Sequence, residues 1–332
     1  MVFLVIGLGS MGKRRIRLLR QYIKQEGISK GGWKIIGLDF KEERRIEAQG
    51  LFGIETYACF EDAVEKNTID CAVISTSPLS HAFIIKRCLE QNFHVFTELN
   101  LTDQGYGENM VLAKKQGKVL FLSSTFMYRR EIQYIKETMQ ERIQRAAYRY
   151  HIGQYLPEWH PWESYREFFA GQKATNGCRE IFAIELPWLL DVFGDVESAE
   201  AVHGKLSRLD IDFDDTYQVL LKHASGVMGT LTVDVVTPRA GRDFELWGEG
   251  LYLEWRGTPD SLKIYNPDTG GLEQVWLYEH VEHMEGYGQF VVENAYYEEL
   301  ADYIDAVRGR GKPKHTFERD REILRLIDRI EV

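Results

Sequence analysis

The chain has 332 residues, 44% of them hydrophobic and 28% charged, with 41 basic side chains against 51 acidic ones and a formal net charge of -10. That length exceeds what one hydrophobic core usually serves, so two domains are expected, and the ordinary composition argues against a disordered chain. A net negative surface has the wrong sign for neutralising a phosphate backbone, which argues against a nucleic-acid partner. No run approaches the roughly 20 apolar residues of a membrane-spanning helix, so no membrane partner is expected either.

The first element is the apolar β-forming run Val2 to Ile6, followed at once by Gly7-Leu8-Gly9-Ser10-Met11-Gly12. In a strand-to-helix turn this spacing has a physical meaning. Gly7 permits the tight turn, Gly9 lets a diphosphate approach the backbone, and Gly12 lets the helix pack on the strand. The free N–H groups at the helix start, around Ser10 and Met11, favour the negative charge. Arg14 to Ile23 reads as an amphipathic helix and Trp33 to Leu38 as a second buried strand ending at Asp39. An acid there can accept hydrogen bonds from ribose hydroxyls, which points to NAD; Lys41, Arg44 and Arg45 nearby keep NADP open. Cys71 to Ile74 and His94 to Phe96 read as further strands, with a helix from Ala82 to Gln91 between them. Their ends, Ser75-Thr76-Ser77-Pro78 with His81, and Glu98, fall at the carboxyl edge, where open α/β sheets bind ligands.

After about residue 123 the pattern turns to longer β-rich stretches: Tyr217 to Lys222, Met228 to Val236, Phe244 to Trp247 and Leu251 to Trp255, with Ser225-Gly226 and Gly248-Glu249-Gly250 as hairpin turns. The fold class predicted is thus α/β plus α+β. A doubly wound Rossmann domain covers residues 1–123, and residues 124–332 form a substrate and oligomerisation domain with an open, mainly antiparallel sheet and a last helix returning to the first domain. The exposed face of that sheet predicts a homodimer or homotetramer. Cys59, Cys71, Cys88 and Cys178 have no metal-ligand spacing, which predicts buried thiols, no metal and a cytoplasmic address.

Several of these pieces, in order, resemble the glucose-fructose oxidoreductase, inositol dehydrogenase and MocA-like (Gfo/Idh/MocA) family of NAD(P)-dependent oxidoreductases. They are the opening GLGSMGKRRIRLL, the run from Asp70 to His81, the strand His94 to Thr97 with Glu98, and the closing stretches Tyr297 to Val307 and Glu318 to Glu322. The resemblance implies hydride transfer at a hydroxyl or carbonyl carbon of a sugar, nucleotide-sugar or cyclitol. Two departures bear on mechanism. Family members usually carry Glu-Lys-Pro where this chain has Glu98-Leu99-Asn100, and an Asp with a His four residues on where it has Glu180 and Ile184. Neither Leu99 nor Ile184 can take a hydroxyl proton.

The candidate replacements are His160, in the polar-aromatic segment from Gly153 to Arg166, and Glu180. Trp159 and Trp162 could pack on a sugar face, Arg179 could hold a carboxylate or phosphate, and Tyr128 and Arg129, with Glu98, are further substrate-binding candidates. Each has a structural alternative: a loop or oligomer contact for the His-Trp segment, an ion pair for Arg179 and Glu180, a helix start for Arg129. The competing functions are a non-catalytic, regulatory dinucleotide-binding protein and a redox-neutral, NAD-dependent enzyme of lyase or hydrolase type.

Overall fold

The computed structural model describes residues 1–28, 32–142, 145–159, 163–284, 288 and 290–332. It divides into two compact units, residues 1–124 with 296–321 and residues 125–295 with 322–332.

The first unit is built on strands β1 (Val2–Ile6), β2 (Lys34–Leu38), β3 (Glu55–Tyr57), β4 (Cys71–Ile74), β5 (His94–Thr97) and β6 (Leu120–Leu122), alternating with helices α1 (Ser10–Gln25), α2 (Glu42–Phe52), α3 (Phe60–Lys66), α4 (His81–Glu90) and α5 (Tyr106–Gln116). The strands pair in the order β3-β2-β1-β4-β5-β6, all parallel. β1 and β4 are almost wholly buried, as parallel strands covered on both faces must be. The order reverses between β1 and β4, so the carboxyl ends of those strands frame the crevice that doubly wound sheets use for ligands. The strand prediction holds here, with β3 and β6 added; each is three residues long, too short to show a period.

The second unit contains α6 (Arg130–Arg142), β7 (Ala146–Gly153), α7 (Leu156–Trp159) and α8 (Gly177–Phe193), then β8 (Val196–Gly204), β9 (Thr216–His223), β10 (Met228–Asp234), β11 (Gly241–Gly248), β12 (Leu251–Trp255), β13 (Lys263–Asn266) and β14 (Gly271–Gln274). The eight-stranded sheet runs β14-β13-β12-β11-β7-β10-β9-β8, antiparallel except where β7 lies parallel to β10. β9 alternates buried and exposed residues along its length, so one face meets the core and the other is open. Both predicted hairpins are present. Two helices end the chain, α9 (Glu293–Val307) and α10 (Phe317–Ile330). In the first unit, Tyr303 of α9 meets Phe96 and Phe121 edge-on at 5.5 and 5.6 Å.

Candidate active site

The glycine turn is built for a group that comes close to backbone. Gly7 has φ +90, and a Cβ there would lie 2.5 Å from the Ser75 carbonyl oxygen; a Cβ on Gly12 would collide with the carbonyl oxygen of Gly7. These two glycines are thus required by the fold itself. Gly9 differs, since among the described residues the only atoms within 4 Å of its would-be Cβ belong to the Arg44 guanidinium. Its outer side faces room rather than packing, at the N-cap of the 16-residue helix α1, where a glycine has no side chain to cap the first turn. An open glycine at a helix N-terminus fits a dinucleotide diphosphate. Asp39 ends β2 as predicted and is buried; its carboxylate accepts from the Leu8 N–H at 2.8 Å and the Lys41 N–H at 2.9 Å.

The loop after β4 brings Ser75, Thr76, Ser77 and Pro78 to the same edge. Thr76 Oγ1 and Ser80 Oγ share a hydrogen bond at 2.7 Å. His81 does not face this edge. It is 1% exposed, with Nε2 donating to the Thr76 carbonyl oxygen at 3.0 Å and Nδ1 2.8 Å from the Asn100 amide. Burial pushes its pKa down against these bonds, so the ring braces the loop as a neutral imidazole. Glu98 remains partly open and is clamped by Arg15, whose Nε and Nη2 donate to its two carboxylate oxygens at 2.7 and 3.0 Å. Arg15 also reaches Glu299 at 2.8 Å, and Glu299 accepts from the Ser123 hydroxyl and the Ser124 N–H. Burial disfavours the guanidinium charge, but the two carboxylates more than offset it and raise the pKa.

Arg15, Asn100 and Glu299 were not among the predicted site residues. One signal was available for Arg15: it falls in step with Gly12, Leu19 and Tyr22 on the buried stripe of α1, where a charge demands a partner.

In the second unit, Asn176 caps α8 by accepting from the Arg179 N–H at 2.7 Å. Trp159 packs against the start of that helix, within 3.0 Å of where a Cβ on Gly177 would lie. One turn on, Glu180 is buried, and its Oε2 makes no hydrogen bond among the described residues. Burial pushes its pKa up to about 8. Its neighbour Arg179 pairs with Asp328 at 2.7 Å and with Glu331, which is the ion-pair alternative rather than an open anion site. Arg129 is likewise taken up internally. Its guanidinium donates to both oxygens of Glu131 at 3.0 and 2.6 Å and to the carbonyl oxygens of Phe290 and Gly257 at 2.9 and 3.0 Å. It is 2% exposed and Tyr128 is 3%, so both serve the core instead of a substrate. His160 and Trp162 lie outside the described residues. A cavity of about 540 Å³ opens beside the α8 cap, lined by Lys173, Asn176, Lys205, Phe213, Tyr217 and Glu331 among others. Among the described residues no cluster of His, Cys, Asp and Glu could hold a metal, and no helix is long and apolar enough to cross a membrane.

Residues 1–124 match the model of an oxidoreductase family with an NAD-binding Rossmann fold, GFO_IDH_MocA. The match spans the N-terminal dinucleotide-binding region and stops where the second unit begins. No curated protein matches the chain. Among solved structures, levoglucosan dehydrogenase in complex with NADH and L-sorbose is similar over 100% of this chain and 95% of its own, at 16% identity and TM-score 0.82. The WlbA dehydrogenase from Bordetella pertussis, in complex with NADH and UDP-GlcNAcA, matches over 99% and 95%, at 18% identity and TM-score 0.74. An NAD binding oxidoreductase from Klebsiella pneumoniae matches over 100% and 96%, at 16% identity and TM-score 0.81. These likenesses show that the two-unit fold is shared over the whole length of the chain.

Proposed function

We propose that this NAD-binding oxidoreductase transfers hydride to or from a hydroxyl or carbonyl carbon of a sugar, nucleotide-sugar or cyclitol, with Glu180 moving the accompanying proton. The carrying observation is the orphaned carboxyl: among the described residues Glu180 Oε2 is buried without a hydrogen bond, and burial pushes the group's pKa up to about 8. A buried oxygen with no partner is costly to keep unless a ligand supplies one. A pKa near the working pH is also what proton transfer in both directions requires. The bound nicotinamide supplies the hydride chemistry. The chain's part is to hold the diphosphate at Gly9 and the α1 amides, to fix Glu98 through Arg15, and to take or return the hydroxyl proton at Glu180. The substrate class is supported by the family and by the ligands of levoglucosan dehydrogenase and WlbA. His160 is the second candidate for the same proton, and Trp159 and Trp162 for the sugar face. The open sheet face of the second unit supports a homo-oligomer, and the thiols, three of four buried and all free, support a cytoplasmic address.

The test is NADH and NADPH formation at 340 nm over a panel of sugars, nucleotide-sugars and cyclitols, for wild type, Glu180→Gln and His160→Ala. Wild type should turn over at least one substrate, with alcohol oxidation rising as pH passes through about 8, where Glu180 loses its proton and becomes a base. Carbonyl reduction should fall over the same interval. Glu180→Gln should lose about 100-fold or more in kcat, the usual weight of a general acid or base. If His160→Ala loses rate and Glu180→Gln keeps it, the proton belongs to His160. A wild type that binds NAD yet is inert throughout would instead be a regulatory protein, and tightly retained NAD with no net NADH would mark redox-neutral chemistry.

A further inference from the structure

We propose that Arg242 receives a carboxylate of the substrate, which narrows the carbohydrate class above to sugar acids; the inference rests on the proposed role of α8 as the helix that meets the substrate. Arg242 lies second in β11, where it pairs with Ile152 of β7, one residue before the polar-aromatic segment that starts at Gly153. Its Nε donates at 2.9 Å to Oε1 of Glu185, a fully buried residue that follows Glu180 by five positions on α8. The other oxygen of Glu185 accepts from the Tyr150 hydroxyl and from Trp188 Nε1, both at 2.7 Å. Glu185 thus holds the guanidinium by Nε alone. Among the described residues no hydrogen bond reaches Nη1 or Nη2, although the side chain is only 13% exposed.

Idle donors on a cation this deep are costly unless a ligand uses them. The side chain is also held in place for one. Gly257, at φ +84, lets its loop close on the stem: a Cβ there would lie 2.8 Å from Arg242 Cβ and 3.0 Å from the Phe290 ring. The guanidinium carbon stands 4.8 Å from the centre of the Phe126 ring and 5.5 Å from that of Phe290, so aromatic faces wall the free edge. Asp243, the next residue on β11, projects to the opposite face and pairs with Arg256. Arg129, the other guanidinium near Tyr150, is already spent on Glu131 and two carbonyl oxygens. A single planar fork between apolar walls matches a carboxylate, which it binds in bidentate fashion. A phosphate dianion would be left half neutralised there, at a cost that the apolar walls increase.

The test is calorimetric titration of glucuronate, galacturonate and mannuronate, of the parent hexoses glucose, galactose and mannose, and of glucose 6-phosphate into the full chain, with and without NADH. In wild type at least one uronate should bind about tenfold or more tighter than its hexose, the weight of hydrogen bonds to a charged group. Arg242→Lys keeps a cation for Glu185 but loses the fork, and should bring uronate and hexose to within about threefold of each other. Arg242→Gln with Glu185→Gln removes both charges, so no buried carboxylate is stranded, and should erase the preference while NADH and hexose affinities stay as in wild type. The inference is overturned if wild-type uronates bind no tighter than their hexoses, if either variant keeps the preference, or if glucose 6-phosphate binds tighter than glucuronate. A uronate preference that depends on Arg242, with no NADH formed from any of these compounds and NAD, would uphold the carboxylate site and count against the hydride-transfer reading instead.

Discussion

Two candidate carboxyls, one in each unit, meet opposite fates. Glu98 has a guanidinium with two donors on it, while Glu180 has an oxygen with no donor among the described residues. Removing Arg15 would leave Glu98 and the fully buried Glu299 without their cation. Breaking a buried pair on one side typically costs about 3–5 kcal/mol, so Arg15→Met should lower the urea midpoint of unfolding sharply. A second variant, Arg15→Met with Glu299→Gln, should recover part of that loss, because one stranded charge is gone. For Glu180 the sign runs the other way from most carboxyls. Its folded pKa lies above its ordinary value of 4.5, so the folded state holds the extra proton between 4.5 and about 8. Its contribution to stability is full below the lower value and is lost as pH rises through the upper one. Thermal unfolding of wild type and Glu180→Gln should therefore diverge with rising pH, wild type falling relative to the variant. Parallel curves from pH 5 to 9 would mean that Glu180 is ionised in the fold.

At the scale of elements, the β1-turn-α1 unit separates glycines needed for folding from the one needed for binding. Gly12→Ala places a methyl inside the Gly7 carbonyl, so the strand and helix must move apart and the protein should be destabilised, with cofactor binding lost as a consequence. Gly9→Ala meets only the flexible end of Arg44 and has φ -72, an ordinary value. It should fold with a melting temperature close to wild type, yet bind NAD more weakly by calorimetry, because the methyl stands where the diphosphate comes closest. Equal affinity in Gly9→Ala would remove the diphosphate from this turn. A second element-level device lies behind the loop after β4, where His81 spans from Thr76 to Asn100, and in the same unit Tyr106 donates to Asp320, which also meets His315 at 3.0 Å. All five side chains are buried. Of these, the His81 bonds to Thr76 and Asn100 hold the loop, and a proline at position 100, as in the family pattern, could not supply the second.

At the scale of the whole molecule, the second unit presents an open sheet face carrying Val202, Leu220, Met228 and Trp247, which are 76, 62, 60 and 42% exposed. Strand register puts Thr230 beside Leu220 and Lys222 beside Met228, while Arg149 pairs with Glu245 across neighbouring strands, so apolar and paired charged groups alternate on the face. A symmetric partner would bury the first and match the second. Leu220→Glu should thus shift the mass seen by light scattering toward the monomer; a wild type that is already monomeric at micromolar concentration would refute the oligomer. Local pattern was enough to read the alternating strands, the glycine turn, Asp39 and the C-terminal hairpins, because apolar period, glycine spacing and turn chemistry act within a few residues. Strand β8 escaped it, since Val196–Gly204 has no buried residue to set a period, and so did α8, with Pro187 inside it. Which of the candidate residues stand open to a ligand was not legible in this way. Arg129 and Arg179 looked like binding cations until Glu131, Asp328 and Glu331 were found on them, and Arg15, to which local pattern gave no role, is closed in by Glu98 and Glu299, 83 and 284 residues away. Composition and periodicity determine where the chain forms strands, turns and helices; whether a charge is spent inside or offered to a ligand depends on partners that only the folded chain brings within bonding distance.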